Sequence, residues 1–191
     1  MLKDSILLDA DKIAKEIYSE DKKVLHDLLR CFGKEIFYTD GTIDYKVLAN
    51  KVFSSRAELK KLNNLMFGPI EEKVRNLVKR NKDKKYIIID AAVLFDAGLY
   101  KLCDFIIFVK ADKKRQKDFL KMKFSVLGSL SESMDNLKEN EINLRIKGQS
   151  IRINEKLIDF VIDNKGSKID LYKQAERILQ KLGEKNKRFF R

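Results

Sequence analysis

Proline is almost absent from this chain, one residue in 191, and glycine is sparse at eight. That scarcity excludes long flexible linkers and points to one domain with a sizeable core, spanning residues 1–191. No apolar run approaches the ~20 residues needed to cross a bilayer. Met1-Leu2-Lys3-Asp4 is not followed by the apolar core of a signal peptide, so a cytoplasmic protein without membrane partners is expected. Cys31 and Cys103 are the only cysteines. Their unrelated contexts give neither a metal spacing nor a disulfide framework, and no protein-held metal site is expected. Both lie among apolar residues and read as inert core thiols.

What is present is charge. Hydrophobic residues make up 44% and charged residues 37%, with a formal net charge of +12. A basic chain attracts phosphates, yet the lysines here are spread along the whole length and no nucleic-acid motif accompanies them. The charge therefore reads as a lysine-rich surface with a site for small polyanions, and nucleic acid is the disfavoured partner. Residues 184–191 form a basic tail, read as a solvated terminus.

Along the chain the period of the apolar residues changes. Ile6-Leu7-Leu8 is a short strand closed by Asp9 and Asp11. Ile13, Ile17 and Tyr18 then mark one helix face, and Val24, Leu25, Leu28, Leu29 and Phe32 the next, with Gly33 suited to a left-handed cap. Asp40-Gly41 is a turn. Between Arg56 and Arg80 two helices are expected to meet near Phe67-Gly68-Pro69, with Pro69 in the first turn of the second. Tyr86–Asp90, Phe105–Val109 and Phe160–Ile162 are unalternating β-prone runs, the pattern of parallel strands buried on both faces. Leu171, Ala175, Ile178, Leu179 and Leu182 stripe a closing helix. Strands separated by helices give an α/β fold, a three-layer parallel sheet flanked by helices. Residues 124–148, opened by a Gly- and Ser-bearing stretch from Phe124 to Asn140, read as a lid or insertion.

Acids and amides gather at the strand ends: Asp9 with Asp11, Asp90 with Asp96, Asp163 with Asn164. Carboxylates at the carboxyl edge of a parallel sheet can orient hydrated Mg²⁺ or accept a proton from a substrate hydroxyl. Each can equally cap the helix that follows. Cations crowd the segment after Val109, from Lys110 to Lys123, where they can clamp phosphates or simply line a solvated face. His26 reads as a surface or partly buried histidine.

In order and spacing these pieces resemble the dephospho-coenzyme A kinase family, of the P-loop nucleoside-kinase-like fold with a helical lid and substrate subdomain. The resemblance runs from Ile6 to about Leu182. It comprises Asp9-Ala10-Asp11, Phe32-Gly33, Asp40-Gly41-Thr42-Ile43, Leu62-Asn63, Leu94-Phe95-Asp96-Ala97-Gly98-Leu99-Tyr100, Arg145-Ile146, Gln149 and Val161 to Ser167. It implies transfer of the ATP γ-phosphoryl group to the 3′-hydroxyl of dephospho-coenzyme A, with Mg²⁺. It casts Asp11 as the base or hydroxyl-orienting carboxylate, and Asp9, Leu94, Asp96 and Tyr100 as acceptor-side residues. Lys123, Arg145, Asn164 and Gly166 fall on the nucleotide side. A non-catalytic relative that binds coenzyme A-like ligands or a protein partner is the alternative.

The chain departs from the family pattern in several places. Gly68-Pro69 stands for a His-Pro pair, Phe119 and Lys123 for two arginines, and Asp96 for a glutamate. Arg115 or Lys121 is available to compensate. No GxxxxGKS/T occurs, so the backbone cradle for phosphate and its lysine are not supplied, and these residues alone are expected to be inactive. Met1 is accordingly read as an internal methionine. The expected upstream stretch is a strand and a GxxxxGKS/T loop, on the order of 20 residues. Sequencing the DNA ahead of Met1 checks this: an open frame encoding that stretch is expected, and a stop codon directly before Met1 overturns it.

Overall fold

The structure, a computed structural model, describes residues 4–118 and 154–189, with side chains of the last helix described to residue 183. Expectations for Lys123, Arg145, Gln149 and the 124–148 insertion lie outside the described residues, as do those for the side chains of the basic tail. The described residues fall into two compact units, 4–103 and 104–118 with 154–189.

The first unit begins with strand β1 (Ser5–Asp9) and continues through helices α1 (Ala10–Glu20), α2 (Lys22–Phe32), α3 (Tyr45–Phe53) and α4 (Arg56–Arg80). Strand β2 (Tyr86–Asp90) then pairs with β1 in parallel, in register from Ser5 opposite Tyr86 to Asp9 opposite Asp90. A parallel pair needs a long crossover, and the four helices provide it. Each helix starts on a side-chain acceptor: Asp9, Asp21, Asp44 and Ser55 all take backbone N–H groups of the following turn. The helical stripes expected from spacing form the core, with Ile13, Ile17, Val24, Leu28, Phe32, Leu48 and Val52 all buried.

Ile6, Leu8, Ile87 and Ile89 face that core from the sheet. Leu7 and Ile88, neighbours in register on the opposite face, are 58% and 40% exposed. The continuous apolar runs are thus buried on one face only. Gly33 does end α2 with positive φ (83°), but its ψ of 173° is extended rather than left-handed helical. Only glycine visits that region without strain. At the Asp40-Gly41 turn, the Asp40 carboxylate accepts from the Thr42 N–H and hydroxyl.

Two further expectations need correction. Arg56 to Arg80 is one continuous helix of 25 residues with Pro69 inside it. Proline removes one intrahelical hydrogen bond and crowds the carbonyl four residues back. Met66, Ile70 and Val74 straddle the proline at four-residue spacing and are all buried, so packing on both sides holds the helix together. Cys31 is exposed, not a core thiol, because α2 buries positions 24, 28 and 32 and residue 31 falls off that stripe. Cys103 is half-buried, its Sγ 3.6 Å from the Leu99 carbonyl oxygen.

In the second unit β3 (Ile107–Lys110) pairs in parallel with β4 (Phe160–Asp163), Ile107 opposite Phe160 and Lys110 opposite Asp163. Residues 113–118 are helical, and α5 (Lys168–Phe189) follows β4. Ile178 and Leu182 of its expected stripe are buried. Among the described residues no helix is long and apolar enough to cross a membrane.

Two measurements test this packing. Leu28 is fully buried, so Leu28→Ala should cost about 2–5 kcal/mol of stability by urea denaturation. Tyr18 lies edge-on to Tyr45 with ring centroids 5.9 Å apart, and burial first, then Tyr45, pushes its phenol up to about 12 from 10.0. A raised folded value favours the neutral phenol, so this contribution is intact below the unfolded pKa and is lost as pH rises from about 10 towards 12. The melting temperature should therefore fall more steeply over that range in the wild type than in Tyr18→Phe.

Candidate active site

The carboxyl end of the β1–β2 pair sets Asp9 beside Asp90, in register at the sheet edge where α/β proteins bind ligands. Asp9 Oδ1 accepts from the N–H of Asp11 (3.0 Å) and of Lys12 (3.1 Å), and Lys12 Nζ lies 3.8 Å from Oδ2. Asp9 is therefore the N-cap of α1, engaged by the backbone. Asp11, in the first turn of the same helix, is exposed, and no hydrogen bond or ion pair engages its carboxylate among the described residues. The helix N-terminus favours a negative charge there. One acid is spent on structure; the other stands available to a ligand. Asp90 is exposed as well.

The segment after β2 folds back through short backbone bonds. Ala97 donates to the Val93 oxygen at 2.8 Å and Tyr100 to the Leu94 oxygen at 3.2 Å, with Gly98 left-handed at φ 72°. Ala97 and Leu99 are buried, and Leu94 packs against the core, which fixes the segment from below. Asp96 is exposed and Tyr100 half-buried. The Tyr100 ring meets Phe95 at 5.7 Å between centroids, and the Lys101 ammonium lies 5.9 Å from its centre. Leu94 is thus an anchor, whereas Asp96 and Tyr100 offer a carboxylate and an aromatic ring. In this unit Asp9 and Asp90 stand side by side at one sheet edge, Asp11 lies in the first turn of the helix that follows Asp9, and the 94–100 segment continues from Asp90.

The second unit holds Asn164 and Gly166 in the loop between β4 and α5. Asn164 donates its N–H to the Lys110 oxygen at 2.7 Å, extending the ladder by one bond. Gln174 of α5 acts as a substitute strand partner for Asp163: its Oε1 accepts the Asp163 N–H (2.9 Å) and its Nε2 donates to the Asp163 oxygen (3.0 Å). At the start of α5 the Asp170 carboxylate accepts from the N–H (2.8 Å) and hydroxyl (2.7 Å) of Ser167. Those bonds hold its carboxyl below the usual range. A Cβ on Gly166 would come 2.6 Å from Asp170 Oδ2, so any side chain there would displace the Asp170 carboxylate. The side-chain oxygens Asp163 Oδ1 and Asn164 Oδ1 are buried without partners among the described residues. Such acceptors are costly to leave unmet, which marks this strand end as chemically unfinished.

Sequence reading missed the Arg115 clamp. Its guanidinium donates to the Lys165 oxygen (3.0 Å) and the Gly166 oxygen (2.9 Å), so this arginine is committed to the loop rather than left for phosphate. An arginine in a run of lysines gave no sign of a partner 50 residues away. Among the described residues no three His, Cys, Asp or Glu side chains gather as a metal cage.

Comparison with known proteins adds a second line. The family model described as dephospho-CoA kinase matches residues 3–170. A curated dephospho-CoA kinase of Fusobacterium nucleatum is 36% identical over 176 residues, covering 90% of this chain and 83% of that protein. Its counterpart in Borreliella burgdorferi is 34% identical over 179 residues, covering 91% and 80%. Among solved structures, dephospho-CoA kinase from Campylobacter jejuni matches with a TM-score of 0.55 at 20% identity, covering 94% of this chain and 86% of that one. A Thermus thermophilus protein, TT1252, matches with a TM-score of 0.60 at 20% identity, covering 92% and 84%. The structural matches share an α/β, P-loop kinase-like architecture with this chain.

The two aspartates of α1 should separate on substitution. Asp9→Ala should lower stability by about 1 kcal/mol through loss of the cap. Asp11→Asn should change it by less than about 0.5 kcal/mol, as for an exposed side chain without partners. Chemical denaturation of both variants checks the contrast.

Proposed function

The chain belongs to the dephospho-CoA kinase family, and from that premise we propose that it phosphorylates the 3′-hydroxyl of dephospho-coenzyme A from ATP, completing coenzyme A in the cytoplasm. The observation that carries this reading is the unengaged carboxylate of Asp11 beside the structurally committed Asp9. Asp11 accepts the proton of the 3′-hydroxyl as the oxygen bonds to the γ-phosphorus. The bond from that phosphorus to the β,γ-bridging oxygen breaks, and ADP leaves with the electron pair. Asp9 takes no proton; its cap fixes the turn that presents Asp11. On the acceptor side Asp96 and Tyr100 contact the substrate and Leu94 holds their segment in place. On the nucleotide side we assign Asn164 and Gly166 to the neighbourhood of the adenine, with Lys123 and Arg145 as further nucleotide-binding residues.

Magnesium fits this donor set only in part. Without three acids gathered in the described residues, Mg²⁺ would be bound chiefly through the ATP phosphates and water, with a sheet-edge carboxylate such as Asp90 orienting its waters and Asp11 left free to take the proton. It would supply charge compensation for the transferring group.

No GxxxxGKS/T lies within the 191 residues, so we propose that they turn over only when a phosphate-binding loop is provided. The test compares this chain with one carrying a strand and such a loop fused ahead of Met1, following ADP release with dephospho-coenzyme A as acceptor. Turnover confined to the fused chain is expected. In it, Asp11→Asn should lower kcat by roughly 10²–10⁴-fold, the range for a lost general base. Acceptor binding without turnover in both chains would favour the non-catalytic relative that binds coenzyme A-like ligands or a protein partner.

A further inference from the structure

Arg115 is tied down at both ends. Its own N–H donates to the Asp112 carboxylate at 2.8 Å, and the neighbouring Gln116 side chain donates to the Ala111 oxygen at 2.8 Å. From this fixed base the half-buried guanidinium forks onto two consecutive carbonyl oxygens, those of Lys165 and Gly166. Five donors in a planar fork suit such a pair; an ammonium has no fixed plane with which to orient both. Gln174 fixes the backbone of Asp163 on one side of the loop, and Asp170 fixes Ser167 on the other. Lys165 and Gly166 between them are fixed by Arg115.

The peptide geometry then dictates a direction. In a planar trans peptide the C=O and the following N–H point opposite ways. Drawing the Lys165 oxygen towards Arg115 turns the Gly166 N–H away from it, and among the described residues that N–H has no acceptor. The next peptide repeats the arrangement, with the Gly166 oxygen on Arg115 and the Ser167 N–H on Asp170. One backbone donor of the loop thereby points away from Arg115 and, among the described residues, is left open.

We infer that Arg115 is a positioning residue that sets base specificity, by holding the Gly166 N–H as a fixed donor for N1 of the nucleotide base. This rests on the reading that the loop carries the adenine of ATP. Adenine presents an acceptor at N1, whereas guanine carries a hydrogen there, so the same N–H accepts one base and opposes the other. ATP and GTP share the triphosphate, so contacts to it cancel in the ratio of their affinities.

The test is calorimetric titration, with ATP and with GTP, of the chain carrying the fused strand and phosphate loop, taken as wild type at Arg115, and of its Arg115→Ala and Arg115→Lys variants. The wild type should prefer ATP. Both variants should lose about tenfold in ATP affinity, the size of one hydrogen bond, with GTP changed less than about twofold. Melting temperatures check that the variants fold, and the lysine variant, which keeps charge and bulk, carries the test if the alanine variant does not. Wild-type preference for ATP with an unchanged ratio in a folded variant overturns the role of Arg115 and leaves the adenine loop standing. Failure of the wild type to bind ATP, or equal binding of GTP, overturns the adenine reading and the inference with it.

Discussion

The Asp9 carboxylate accepts two backbone N–H groups of α1, and the candidate site at the end of β1 depends on that junction. It stops β1 and starts the helix within one residue, so the sheet edge and the first helical turn are rigidly joined. Because the cap consumes Asp9, the acid two positions later is left facing outward. Asp90 stands opposite Asp9 in register, and the chain leaves β2 directly into the folded segment that holds Leu94 and Tyr100. A single capping interaction thus sets the position of Asp11, the candidate base.

Both units repeat one scheme: a parallel strand pair whose carboxyl end is locked by polar contacts from a helix. In the first the lock is a cap. In the second it is Gln174 from α5 on Asp163, with Arg115 and Asp170 fixing the residues beyond. Phosphoryl transfer asks for positioning and electrostatics more than covalent chemistry. Loops held by side-chain-to-backbone bonds supply positioning without a bulky framework. Such bonds commit few side chains and leave groups such as Asp11 and the Gly166 N–H open for ligands.

Much of this was legible in the sequence. The apolar stripes of α1, α2 and α5 and the strand at Tyr86–Asp90 follow from period alone, because burial selects those positions whatever lies beyond them. Asp9 and Asp11 were identifiable as a pair at a strand end, and the division of labour between them emerged only with backbone geometry, since either spacing permits a cap. Pro69 misled because a local breaker signal was overridden by burial of Met66, Ile70 and Val74 across it. Exposure of Leu7 and Ile88 was not legible either, since an apolar run does not say how many of its faces are covered. The Arg115 clamp is a long-range pairing of a side chain with backbone carbonyls. Any loop sequence offers such carbonyls, so nothing in the residue types announces it.

The central claim is that Asp11 serves transfer to one particular hydroxyl, and the most direct measurement is where the phosphoryl group ends up. Phosphorus and proton magnetic resonance of the product formed from ATP and dephospho-coenzyme A, by the chain supplied with a phosphate loop, locates it. The account predicts one new monoester, on the ribose 3′-oxygen, absent with Asp11→Asn. A phosphate on any other oxygen, or an undiminished yield from that variant, would contradict it.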